Sequence, residues 1–138
     1  MSHAMARAAI ERKLLDWAKA KSPVLPSFFS TQKGDLTKPI FIRGNLLPAS
    51  ARTECLQGDE ITYIGLYQVT ISCEPSQPIG NAESLIAEIQ SLFPVDSDIG
   101  VPGFNGSITD AVDQGPTIYE DSRYNVPVTI PYRGVVTT

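Results

Sequence analysis

At 138 residues the chain is long enough for one domain and too short for two ordinary ones. A composition of 42% hydrophobic and 19% charged residues excludes a disordered or collagen-like chain, and no apolar run approaches the roughly 20 residues of a membrane span. The net charge of −4 conceals a polarity: residues 1–52 hold nine Lys/Arg against three Asp/Glu, residues 53–138 hold two against twelve, and no basic residue stands between Arg52 and Arg123.

Met1–Met5 reads as a flexible or tag-derived stretch, with His3 a solvated tail residue. Charges at Arg7, Glu11, Arg12 and Lys13 stand where a signal peptide carries its apolar run, so nothing suggests export. The first helix follows, with Ile10, Leu14 and Trp17 on one stripe and Arg12, Asp16 and Lys19 opposite. The spacing predicts Arg12–Asp16 and Asp16–Lys19 pairs on the polar face and makes Trp17 a core anchor. Ser22-Pro23 ends the helix, since the residue before proline is pushed out of the helical region, and Pro23–Pro26 is an extended connector.

Strand signals come next. Phe28-Phe29 is a short candidate, then a polar turn passes through Gly34 and Asp35, and Ile40-Phe41-Ile42 and Leu46-Leu47 are two short apolar runs. Residues 49–60 read as a long polar connection containing Gly58-Asp59. Ile61, Tyr63, Tyr67, Val69, Ile71 and Cys73 then share one parity, a period of two over about 13 residues that predicts a strand projecting beyond a small core.

A second helix is predicted from an Asn81 cap through the stripe Ala82, Leu85, Ile86, Ile89 and Phe93 to a stop at Pro94. Residues 95–107 read as a glycine-containing loop and Ser107–Val112 as a weak strand. The last strand sets Tyr124, Val126, Val128, Ile130 and Tyr132 on one face. Pro127 and Pro131 remove donors from one of its edges, which predicts an edge strand guarded against further pairing. The fold expected is α+β: a largely antiparallel or mixed sheet with two helices packed on one face, in a single domain.

Little in this chain points to catalysis. His3 is the lone histidine, so a Ser-His-Asp or Cys-His arrangement lacks a base, and one His with two Cys 18 apart does not make a zinc site. Cys55 and Cys73 read as reduced thiols. Asp96/Asp98 and Asp110/Asp113 offer a hard-cation or acid/base alternative, but without calcium-loop spacing. Gly100–Gly106 lacks the Gly-Lys-Ser/Thr ending of a phosphate loop. Basic residues of the first helix do not amount to nucleic-acid readout in an acidic chain. No catalytic residue, cofactor or metal site is expected.

The landmarks in order resemble the phage tail-terminator-like family of siphophages and prophages. They are Glu11-Arg12-Lys13-Leu14-Leu15-Asp16-Trp17-Ala18, Leu46-Leu47-Pro48, Gly65-Leu66-Tyr67-Gln68-Val69-Thr70-Ile71, Leu92-Phe93-Pro94 and Val126-Pro127-Val128-Thr129-Ile130-Pro131-Tyr132. No single motif is specific; order, spacing and the double proline carry the likeness, which spans nearly the whole chain. The acidic 95–122 region departs from the pattern.

The resemblance implies a structural protein of the virion tail, assembled in the host cytoplasm, that caps the finished tail tube as a hexameric ring and ends its growth. The partners implied are further copies of the chain, the major tail tube protein and a head-completion or connector protein. DNA would pass non-specifically through the lumen, and no membrane is involved. A head–tail connector or neck protein is the alternative, and a metal-dependent hydrolase using the 96–113 carboxylates a remote one. A ring needs heterologous contacts. The charge polarity therefore suggests a basic patch around Arg43 and Arg52 meeting an acidic one drawn from Asp59, Asp110, Asp113 and Asp121. The 49–60 and 95–107 loops are the expected carriers of assembly contacts.

Overall fold

The computed structural model describes residues 2–21, 24–29, 37–53, 60–100, 104–120 and 122–137. Within them the elements run α1 (Ser2–Ala20), β1 (Ser27–Phe29), β2 (Ile40–Thr53), β3 (Glu60–Cys73), α2 (Ile79–Leu92), β4 (Asn105–Ile108), β5 (Asp113–Gln114), β6 (Ile118–Tyr119) and β7 (Tyr124–Thr137). The strands form one mixed sheet in the order β1-β2-β3-β7-β4, with β5 and β6 also on β7. β1 lies parallel to β2, and the other pairs are antiparallel. This is the α+β architecture expected, with both helices on one face.

Alternation along β3 decides which face they cover. Tyr67, Val69, Ile71 and Cys73 are fully buried. The register sets them beside Ile130, Val128, Val126 and Tyr124 of β7, and sets Ile42 of β2 beside Ile71. Onto this surface α1 lays Ala6, Ile10, Leu14 and Ala18, and α2 lays Ala82, Leu85, Ile86 and Ile89, all in one cluster. Enclosing each large aliphatic side chain contributes about 1.5–3 kcal/mol. The buried stripe of α1 thus advances by fours, and Trp17 sits beside it, half-buried, with its indole N–H reaching the Glu88 carboxylate at 3.2 Å. Trp17 is a rim residue with a polar tip and not the core anchor its spacing predicts. Among the described residues the ion pair along α1 is Arg7–Glu11 at 2.9 Å, not Arg12–Asp16 or Asp16–Lys19.

The expectation for the last strand is corrected. β7 is interior: β3 pairs along its full length, from Glu60 beside Thr137 to Cys73 beside Tyr124, and three short strands occupy its other side. The prolines do share one side, because the Pro127 and Pro131 carbonyls both accept from that second side, from Gly115 N–H at 2.8 Å and Thr109 N–H at 3.1 Å. What the missing donors do is cut the ladder. β4 pairs with 132–135, β5 with 128–129 and β6 with 124–125, and the breaks fall beside the prolines.

Other boundaries also move. The two apolar runs of 40–47 belong to one 14-residue strand that continues to Thr53 past a register shift between Pro48 and Ser50, so much of the predicted 49–60 connection is strand. Gly58-Asp59 lies outside the described residues. α2 is capped by Pro78, with no side-chain cap bond, while Asn81 donates from Nδ2 to Gln77. Helix α1 begins at Ser2, and His3 is no solvated tail residue. Its Nδ1 lies 2.5 Å from the Tyr132 hydroxyl and its ring stands edge-on to Tyr63. Gly44 on β2 is needed for space: a Cβ there would overlap the Tyr67 hydroxyl, which donates to Glu11 on α1 at 2.8 Å.

Candidate assembly surface

Helix α2 packs on the sheet between a groove on one side and the β4–β5 strip on the other. Its N-terminal half borders a groove of about 490 Å³ at the β1–β2 flank. The floor is apolar (Val24, Leu25, Ile40, Leu85), and Lys21, Lys38 and Glu88 stand around it. Lys21 is engaged, its ammonium 2.8 Å from Glu88. At the other end Gln90 donates to the Val112 carbonyl at 3.1 Å, and Asp96 N–H to the Ile108 carbonyl at 2.8 Å. That end of α2 is therefore tied to the β4–β5 flank, where Asp96, Asp110 and Asp113 are exposed.

Among the described residues no helix covers the second face of the sheet. Register places Arg43, Thr70 and Pro127 in one row across β2, β3 and β7, and Asn45, Gln68, Thr129 and Asp113 in the next. Arg43 and Asp113 are both exposed there, three strand spacings apart, about 14 Å. A third row sets Leu47 beside Leu66 and Leu66 beside Pro131, with the two leucines 44% and 38% exposed. At the end of this face Arg123 is 3% exposed. It donates to Ser72 Oγ at 2.8 Å and the Ser72 carbonyl at 3.1 Å, with its guanidinium 4.7 Å from the Phe41 ring centre. Arg43 and Glu120 line the small cleft beside it.

The titratable groups shift as packing dictates. The Lys21 ammonium and the Trp17 N–H hold Glu88 below the usual carboxylate range. Burial, reinforced by Glu11, pushes Tyr67 far up, so its hydroxyl stays a donor. Burial alone takes Tyr132 to about 12, and it raises the Cys73 thiol. The two tyrosines and the Cys73 thiol therefore stay protonated at neutral pH, and Glu88 stays ionised.

Of the residues singled out in the sequence, Arg43, Asp110 and Asp113 are exposed, with Arg43 on the basic flank and the two aspartates on the acidic one. Within one copy Arg43 and Asp113 are held apart. The Arg52 side chain, Asp59 and Asp121 lie outside the described residues. The charge halves are partly interleaved, since Lys21 binds Glu88 and Arg43 shares a cleft with Glu120. The 95–107 segment is more ordered than a loop in its described part: Asp98 bridges to Ser107, and Asp98 Oδ1 accepts from Gly100 N–H at 2.6 Å. Among the described residues no group of three His, Cys, Asp or Glu side chains is placed to hold a metal, and no helix is long and apolar enough to cross a membrane. Sequence reasoning missed the groove and Val95. No motif marks either, because the groove is made by four separate segments.

No curated protein matches the sequence. One solved structure is 29% identical with a TM-score of 0.80, over 97% of this chain and 96% of that one. A family model described as "Phage tail terminator protein" matches residues 6–132, from the first buried alanine of α1 to the last buried tyrosine of β7. The chain therefore belongs to the phage tail terminator family, a family of structural tail proteins and not of enzymes.

Proposed function

We propose that this protein caps the completed tail tube as a hexameric ring, ends tube polymerisation and forms the tail side of the head–tail joint. The major tail tube protein contacts one rim of the ring and a head-completion protein the other, and DNA crosses the lumen without specific contacts. The observation that supports the ring most directly is the opposite charge of the two flanks. Heterologous contacts join one surface of a subunit to a different surface of the next. A flank carrying Lys38 and Arg43 suits one carrying Asp96, Asp110 and Asp113. Such complementarity steers encounter and register more than it supplies affinity.

Electron microscopy of tails assembled with and without the protein tests the role. Tails made with it have one length and join heads; tails made without it overgrow and stay headless. Unchanged tail length in its absence overturns the reading. For the charge contribution, ring formation should weaken between low salt and 0.5 M, where screening cuts the range to about 4 Å, and in Arg43→Glu. Rings indifferent to both have no electrostatic register.

A further inference from the structure

We infer that the groove on the basic flank is a socket for the Pro94–Asp98 turn of a neighbouring copy. Val95 enters between Val24 and Leu85, and the Asp96 carboxylate faces Lys38. The inference rests on the ring reading and names the contact that closes it.

The turn has the features of a preformed plug. Val95 is 49% exposed although it follows the fully enclosed Phe93 by two residues. Asp96 takes a left-handed backbone, φ 66°, a conformation aspartate tolerates better than most residues. Three backbone bonds hold the turn: Ser97 N–H to the Pro94 carbonyl at 3.0 Å, Asp96 N–H to the Ile108 carbonyl at 2.8 Å and Ile108 N–H to the Ser97 carbonyl at 3.1 Å. Little conformational freedom is left to lose on docking. An apolar tip flanked by Asp96 and Asp98 is thus presented on a rigid support.

The socket has the converse character. Its walls are Val24, Leu25, Ile40 and Leu85, with Val24 60% exposed at the lip. Lys21 neutralises Glu88, so Lys38 sets the sign of the rim. Apolar meets apolar and cation meets carboxylate only in a neighbour's groove. Leu85 lies seven residues before the end of α2 at Leu92, about 10 Å along the axis, and Val95 stands past that end, in a turn bonded to β4 and outside the lining of its own chain's groove. A plug past the end of α2 and a socket beside its body are different surfaces of one subunit, so their contact propagates from copy to copy, as ring closure requires.

Cysteine cross-linking on the full chain tests this. Ser84 is an exposed groove residue, and a disulfide needs Cα atoms within about 7 Å, so Ser84→Cys and Val95→Cys can join only between copies. In a Cys55→Ser background, on tail tubes and in concentrated free protein, oxidation should give a ladder of covalent multimers from the double variant. Either single variant should give dimers at most. Rings visible by microscopy without a ladder overturn the plug-and-socket contact and leave the ring standing; no ring in either setting removes both. A double-mutant cycle adds the charge pair. Lys38→Met and Asp96→Asn should each raise the concentration for half-assembly about tenfold, and together still about tenfold. Independent, multiplying effects, or none, overturn the Lys38–Asp96 contact.

Discussion

The two faces of the β2–β3–β7 sheet share a backbone and little else. On the helix side, β3 contributes four side chains with no exposure, and two helices complete a single apolar cluster. On the other side the same strand shows Leu66, Gln68 and Thr70, with Arg43 on adjacent β2 and Asp113 on β5 beyond β7. The covered face holds the subunit together. The open face and the two flanks carry exposed polar, charged and apolar side chains that take no part in that cluster.

The largest contrast is predicted across β3 itself. Ile71→Ala removes a fully enclosed side chain and should cost about 2–5 kcal/mol in equilibrium denaturation, whereas Leu66→Ala on the open face should cost less than about 1 kcal/mol. Equal losses would mean that the open face is covered in the free protein. Trp17→Ala sharpens the boundary. A half-buried indole should cost about 2–3 kcal/mol, below the upper range of a fully enclosed one, and Trp17 emission should lie between buried and solvated wavelengths.

Tyr67→Phe tests the polar link from sheet to helix. It withdraws the hydroxyl from Glu11, whose side chain is 13% exposed, and should cost about 1–3 kcal/mol with the fold kept. The smallest effect belongs to Glu88. Its side chain is 42% exposed, so solvent screens the pair and Glu88→Gln should cost less than about 1 kcal/mol at neutral pH. Because its folded-state pKa is lowered, that contribution is full above the ordinary carboxylate value and disappears as pH falls through the folded-state one. An acid-stability profile in which Glu88→Gln matches the parent above that window and not below it would contradict this sign.

Legibility in the sequence followed the same division. The alternation of Tyr67–Cys73 and Tyr124–Tyr132 and the stripe Ala82–Ile89 are readable because a buried face forces its period on the residues. α1 was harder: alanines at 6 and 18 complete its stripe but carry too little hydrophobicity to outweigh Trp17 on a wheel. The proline pair marks the deprived side of the strand, but the free edge it predicts is occupied by β4–β6. A missing N–H marks which side is deprived, yet a carbonyl on that side still accepts, and Gly115 and Thr109 use it. The charge polarity is visible in the sequence, but its placement at two flanks depends on the strand order, which sets β2 and β5 on opposite sides of β3 and β7. The groove and the Val95 turn have no signature, since neither is built from contiguous residues of one chemical kind.

The divided edge of β7 has a consequence for how the protein fails. If the β4–β6 strip detached during folding or assembly, it would uncover a long strand in the middle of a sheet, the kind of edge that recruits foreign strands into aggregates. Here that edge offers donors at Asn125, Thr129 and Arg133 and none at Pro127 or Pro131. An intruding strand would meet alternate gaps and gain only a broken ladder. The native strip loses nothing, because its short strands are already cut to fit between the prolines. Protection against aggregation is thus carried in the interior of the sheet.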